Sequence, residues 1–275
     1  MKLSEAGELG LLRELESRGL IEGTEHDAAE LDDGLVLTQD ALVEGVHFRL
    51  DWLSWRELGF RAAAVNVSDL AASAARPEAL LVTLAAPATV QVEDVVELYK
   101  GIAAAGVPVR GGDTTRADLV VVGVTAVGRS DHVPGRTGAR PGDVVVVTGP
   151  LGAAGAAFRE GGYLRPPIRV EEGLRLGRVA SAMLDLSDGL AVDAGHIARR
   201  SGCRLVIDLD RVPLAGTVDD LGFGEDFELL AAVPPSNSLL LGFPVIGRCE
   251  EGEGVLLLRG GEPYELPGYE HFVEP

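Results

Sequence analysis

Leu184-Asp185-Leu186-Ser187-Asp188-Gly189-Leu190 (184–190) sets two acids and a hydroxyl in a short turn just ahead of a helix predicted near Leu190 to Arg200. Gly189 suits the turn, and Ser187 or Asp188 suits the N-cap of that helix. The alternative use of the same residues is a site in which a helix N-terminus and two acids meet phosphate and metal. A strand is predicted at Leu205 to Leu209, beyond the helix. Upstream, a strand at Val144 to Thr148 runs through a Gly-rich turn toward a helix near Val170 to Ala182, and further strands follow at Leu229 to Val233 and Val255 to Leu258.

The first half of the chain has the same mixed character. Ser4 to Arg18, Arg56 to Ala75 and Val92 to Ala105 read as helices, Leu35 to Thr38 as a strand running into Gln39-Asp40, and Leu119 to Val127 as a buried strand. Val107 to Arg110 leads into Gly111-Gly112-Asp113, a strand-to-turn signal. The helix from Arg56 carries Asn66, Ser68 and Asp69 in an Ala-rich interior, and such groups need partners or cost free energy. Arg136 to Gly142 is turn-rich and marks a boundary between residues 1–136 and 137–275. The class is α+β or α/β with two subdomains.

Composition narrows the functions. The 275 residues carry a formal charge of -19, which disfavours nucleic acid as a partner because its binding needs clustered basic side chains. Lysine occurs only at Lys2 and Lys100, so phosphate contacts fall to arginine, backbone N–H groups or metal. Neither lysine lies in a Gly-rich loop and there is no GxxxxGK[ST], which disfavours Walker-type and protein-kinase chemistry. Thr148 to Gly155 spaces its glycines as GxxGxxG, not as the dinucleotide fingerprint. Cys203 and Cys249 form no metal-ligand pattern, no apolar run reaches the roughly 20 residues of a membrane span, and the start MKLSEAGELG lacks an apolar signal core; the expected compartment is the cytoplasm.

Asp27, Asp40, Asp69, Asp113, Asp185 and Asp188 each stand beside a strand end, a turn or a small-residue stretch. Mg²⁺ takes oxygen ligands and shares them with substrate phosphates, and aspartates that converge repel one another unless cations join them. Taken singly, each has an ordinary use in a turn, a cap or a solvated surface. Gly111 to Thr115 (GGDTT) is a plain turn or a phosphate–metal turn, His47 is structural or substrate-facing, and Gly224 to Glu228 (GEDFE) is a solvated loop or part of a site.

In order along the chain, HDAA (26–29), LTQDALVEGVHF (37–48), AVNVSDLAA (64–72), GGDTT (111–115), RTGARPGD (136–143), VTGPLG (147–152), LDLSDGLAVDAGHIARRSG (184–202), GEDFELL (224–230) and GYEHF (268–272) resemble thiamine-monophosphate kinase, a family of the aminoimidazole ribonucleotide synthetase-like ATP-binding superfamily. The resemblance implies phosphoryl transfer from ATP to thiamine monophosphate, giving thiamine diphosphate with several Mg²⁺ ions. It implies two subdomains, with the N-terminal sheet forming a barrel across a homodimer. Asp27, Thr38, Asp40, Asp69, Asp113, Asp185 and Asp188 are the implied metal ligands, with Gln39 a weaker candidate, and Asp40, Asp69, Asp113 and Asp185 are the implied catalytic set. Tyr99, Gly112, Asp113, Arg136 and Ser187 are implied to contact ATP, and His47, Glu225 and Tyr269 the thiamine substrate.

The sequence departs from the family pattern at Glu25-His26-Asp27 for GDD, at Gln39 for Thr, at Ala153 for Asp, and in a short stretch between Pro213 and Gly224. Alternatives are a sister enzyme such as aminoimidazole ribonucleotide synthetase, or a non-catalytic nucleotide or thiamine phosphate binder. Selenophosphate synthetase and the hydrogenase maturation enzyme of the superfamily each want a cysteine at a place where this chain has none.

Overall fold

A computed structural model describes residues 2–22 and 26–269. Glu25 of the first acidic motif and residues 270–272 of GYEHF lie outside them. The helices are α1 (Leu3–Ser17), α2 (Trp55–Ala72), α3 (Val92–Ala103), α4 (Ala153–Arg159), α5 (Val170–Leu176), α6 (Leu190–Ser201) and α7 (Pro235–Leu241). The first five strands are β1 (Ala29–Glu30), β2 (Leu35–Val43), β3 (Arg76–Ala86), β4 (Val109–Arg116) and β5 (Val121–Arg129). The second group is β6 (Val144–Val147), β7 (Ala182–Asp185), β8 (Arg204–Asp208), β9 (Leu229–Val233), β10 (Val245–Glu250), β11 (Gly254–Arg259) and β12 (Glu262–Tyr264).

Among the described residues the strands form two sheets, ordered β1-β2-β5-β3-β4 and β12-β11-β8-β10-β6-β9-β7. The first is open, with β1 and β4 as its edges, and no barrel closes within one chain. Strand β4 is exposed from Arg110 to Arg116, an open sheet edge that no other described element covers. The GGD stretch lies inside this strand, where Gly112 and Asp113 pair with Val82 and Thr83 of β3. A side chain on Gly112 would strike the Val82 carbonyl, so glycine here permits close strand approach instead of making a turn.

Helix α2 holds the two halves together. Ser54 and Glu57 close a capping box at its start. One side of the helix packs Leu58, Ala62, Ala63, Val67 and Leu70 into the core of the first sheet, against Val36, Val82 and Val124. Its C-terminal end packs Ala71 and Ala72 against Val146, Met183 and Leu229 of the second sheet. A helix clasped from both sides has no solvent face, and this explains its alanine-rich, almost fully buried sequence. Gly59 and Gly101 let α2 and α3 touch backbone to backbone, and Gly173 does the same for α5 against Ala71.

The helix predicted to run to Ala182 ends at Leu176, and Ala182 begins β7 instead. Gly177 packs against Ala74 where no side chain fits, and the chain turns there. The apolar run Ala182-Met183-Leu184 then pairs with β9 as a buried strand. A short apolar run of this kind does not by itself distinguish strand from helix.

Candidate active site

A cleft of about 560 Å³ opens between the two halves. Strand β2 supplies one wall. Its alternation turns Thr38 and Asp40 toward α2 and Gln39 toward the open face of the sheet, where Thr125 Oγ1 donates to Gln39 Oε1 at 3.2 Å. Helix α2 answers with three polar residues. Asn66 bridges its own helix and β2, donating to the Ala62 carbonyl at 2.9 Å and accepting from the Asp40 N–H at 3.0 Å. Thr38 donates to Asp69 at 2.5 Å, and Ser68 donates to Asp185 at the end of β7 at 2.5 Å. Consecutive residues of one helix thus bond acids or hydroxyls from both halves of the chain.

Asp27 enters from the N-terminal side and accepts from Arg136 Nε at 2.8 Å and from its terminal nitrogen at 2.5 Å. Asp27, Asp40, Asp69 and Asp185 therefore share one desolvated space. Burial pushes Asp69 well above the usual carboxylate range, and the charges of Asp40, Asp185 and Asp27 push it further. Burial, then Asp27, raises Asp185 to about 8. Asp40 and Asp27 are also raised by burial; a hydrogen bond with Asp69 opposes this at Asp40, and Arg136 opposes it at Asp27. Acids that repel one another to this degree are suited to oxygen-loving divalent cations, whose charge restores their ionised form.

Neither Ser187 nor Asp188 caps α6. Asp193, one turn inside the helix, reaches back to accept from the N–H groups of Asp188 and Gly189 at 3.0 and 3.1 Å. This leaves the side chains of Ser187 and Asp188 to line the cleft. Asp188, Asp193 and His196 also offer ligand atoms within 4.8 Å of one another, and burial lowers His196 to about 4, keeping it neutral at pH 7.

His47, Glu225 and Tyr269 line the same cleft as the acids. The Val43 N–H donates to His47 Nδ1 at 3.0 Å, which fixes the ring. The GEDFE loop is not a solvated loop. Its Asp226 is buried and accepts from the N–H groups of Gly152 and Ala154 at 2.6 and 3.1 Å, so it caps α4. Glu228 accepts from Thr148 and Arg169. The GxxGxxG turn is thus held by acids, and its glycines do not line the cleft.

Gly112, Asp113 and Tyr99 do not join the others within one chain. Asp40, Val124, Val82 and Gly112 form one row across β2, β5, β3 and β4, which sets Gly112 three strands from Asp40, about 14 Å away. Asp113 pairs with the exposed Thr83, on the face away from α2.

An aromatic wall forms the other end of the cleft and was not visible as a motif. Phe158 lies 4.8 Å between ring centroids from Phe223, tilted against it, and meets Trp52 edge-on at 5.3 Å, with Tyr163 at 5.7 Å from Trp52. Phe158, Tyr163, Phe223 and Phe227 line the cavity. With Trp52 these residues come from three separate stretches, and no spacing rule links them.

Family models for the N-terminal and C-terminal domains of AIR synthase related proteins match residues 25–130 and 140–257. The thiamine-monophosphate kinase of Aquifex aeolicus is 32% identical over 99% of this chain and 100% of its own length. That of Escherichia coli K12 is 34% identical over 88% and 87%. The chain belongs to the thiamine-monophosphate kinase family. Among solved structures of that family, AaThiL complexed with AMPPCP and TMP superposes with a TM-score of 0.90 at 32% identity, over 98% of this chain and 99% of that one. The hydrogenase maturation protein HypE in complex with ATP has a TM-score of 0.71 at 20% identity over 99% of both chains, a likeness of fold alone. The kinase family's two-domain α+β fold is therefore the fold of this chain. Among its described residues no helix is long and apolar enough to cross a membrane.

Proposed function

We propose that this chain transfers the γ-phosphoryl group of ATP to thiamine monophosphate, giving thiamine diphosphate and ADP. The observation that carries the reading is the convergence of Asp27, Asp40, Asp69 and Asp185 on one cleft that also holds Arg136 and ends in an aromatic wall. The acids suit a metal-bound polyphosphate, and the wall suits the flat rings of a thiamine group. The related AaThiL structure, with AMPPCP and TMP bound, supports the same pair of ligands.

Asp27, Thr38, Asp40, Asp69, Asp185 and Asp188 are the residues that would hold Mg²⁺, with Gln39 at their margin. Mg²⁺ bound there supplies the positive charge that lets two anionic substrates approach on an acidic protein. The protein's own part is positioning. Arg136 is fixed by Asp27 with its guanidinium at the acids, and Ser187 lines the cleft at the turn before α6, where it would meet the nucleotide phosphates. The acceptor is a phosphate oxygen, already anionic at neutral pH, which attacks the γ-phosphorus as the bond to the ADP oxygen breaks. It needs no strong general base, so orientation and charge neutralisation carry the rate.

The reading includes a homodimer. Gly112 and Asp113 stand on an exposed edge strand, too far across the sheet to reach their own chain's cleft. In this reading the open sheets of two chains close a barrel, and β4 of each chain brings Gly112 and Asp113 to the cleft of its partner, with Tyr99 at the nucleotide. The boundary of the two domains falls at 136/137, and the reaction takes place in the cytoplasm, where ATP is supplied. Incubation with ATP, Mg²⁺ and thiamine monophosphate tests the activity. Thiamine diphosphate is the expected product; turnover of formylglycinamidine ribonucleotide in its place would select the sister activity. Tight binding of both substrates with no product would select a non-catalytic binder.

A further inference from the structure

Arg61 is a buried cation on α2 whose side chain does not reach the cleft, although three residues it touches do. Its guanidinium pairs with Glu225, donates to the Leu164 carbonyl at 3.3 Å, and lies 5.3 Å from the Tyr163 ring centroid and 6.0 Å from that of Phe227. Glu225, Tyr163 and Phe227 all line the cavity, and Arg61 stands behind them. Its side chain is 3% exposed against 25% for Glu225, so the carboxylate faces both the arginine and the open space. Arg61 Nε has no acceptor among the described residues. A buried donor left unpaired is not what folding stability alone selects.

The backbone around Glu225 shows what the arginine has to hold. Glu225 and Phe227 have φ of 60° and 51°, a left-handed conformation that side chains other than glycine seldom adopt. Strain of this kind persists only where the surroundings over-determine it. Glu225 N–H donates to the Ser187 carbonyl at 2.9 Å and Phe227 N–H to the Leu186 carbonyl at 2.9 Å, while Asp226 between them caps α4. Those bonds fix the backbone of the loop and leave the direction of the Glu225 side chain open. Arg61 fixes that direction. It also ties the loop of the C-terminal half to a helix of the N-terminal half, so the acid keeps a constant distance from Asp69, which α2 also carries.

We propose that Arg61 is a positioning residue that acts through Glu225, aiming its carboxylate at the ring end of the acceptor substrate beside the aromatic wall. The inference rests on the reading of Glu225 as a contact for thiamine monophosphate. A planar guanidinium between two rings is not replaced by the point charge of lysine, so charge alone does not do this work.

The test is steady-state kinetics of R61M, R61K, E225Q and R61M/E225Q, with each substrate varied in turn. R61M and E225Q should each raise the KM for thiamine monophosphate by up to about a hundredfold, the cost of misplacing a substrate contact. The KM for ATP should stay at the wild-type value, R61K should fall between wild type and R61M, and the double variant should be no worse than E225Q alone. If R61M does not fold, R61K, E225Q and R61K/E225Q complete the same cycle. Losses that multiply in the double variant, or an unchanged KM for thiamine monophosphate in R61M, would overturn the proposal. Turnover of thiamine monophosphate by the wild type leaves the proposed activity standing in either case, and its absence counts against that activity instead.

Discussion

Replacing Asp185 by asparagine should stabilise the metal-free protein while abolishing its turnover. Asp185 is 5% exposed and accepts from Ser68 Oγ at 2.5 Å, a bond that an asparagine oxygen also accepts. In the unfolded chain its carboxyl ionises near 3.8; in the fold, burial and the charges of Asp27 and Asp40 raise this to about 8. Between those two values the folded state holds a proton that the unfolded state has lost, so stability falls as pH rises. At pH 7 the gap above 3.8, at about 1.4 kcal/mol per pH unit, amounts to about 4 kcal/mol. For a chain of this size, with about 2–4 °C per kcal/mol, the D185N variant in EDTA should melt about 10 °C above wild type at pH 8. The difference should shrink as pH falls toward 3.8 and vanish below it, where both states of the wild type carry the proton. Differential scanning calorimetry across that range reads both effects. Equal melting at pH 8, or a less stable variant with the wild-type pH dependence, would refute the placement of Asp185 among buried acids.

Three further outcomes follow from the same geometry. D40N should lose turnover by at least about a thousandfold, the scale on which charge placement acts in phosphoryl transfer, without melting below wild type, and EDTA should silence the wild type; initial rates and melting curves check both. F158A should raise the KM for thiamine monophosphate about tenfold, the worth of about 1.4 kcal/mol of lost ring contact, with the KM for ATP unchanged in the same assay. G101V should destabilise the fold by about 3 kcal/mol or more, because a side chain there strikes the Arg56 carbonyl where α2 and α3 cross; urea unfolding gives the figure.

Local pattern carried the acids of the site and left out their partners. Asp185-Leu186-Ser187-Asp188-Gly189 was legible because an acidic turn before a helix has few uses, and in the structure the cap comes from Asp193, four residues after Gly189. Asn66, Ser68 and Asp69 were legible as polar residues in an apolar helix that needed partners, and those partners are Asp40, Asp185 and Thr38. The period-two alternation of β2 separates Gln39 from its neighbours Thr38 and Asp40, a distinction that appears only once the strand is seen to extend to Val43. The aromatic wall had no sequence signal, since Trp52, Phe158, Tyr163 and Phe223 meet only through tertiary packing. Arg61 was hidden for a similar reason: an arginine at the start of an Ala-rich helix reads as solvent-facing until the helix is found clasped on both sides.

Mg²⁺ titrated into the metal-free protein near pH 7, with the protons released read from calorimetry in two buffers of different ionisation heat, reports directly on whether the acids act together. Asp185, raised to about 8, holds its proton near pH 7 in the metal-free cleft, so a cation that recruits it should bind with net proton release, and D185N should release less. Metal binding with no release of protons, or no binding at all in the presence of ATP, would contradict the account.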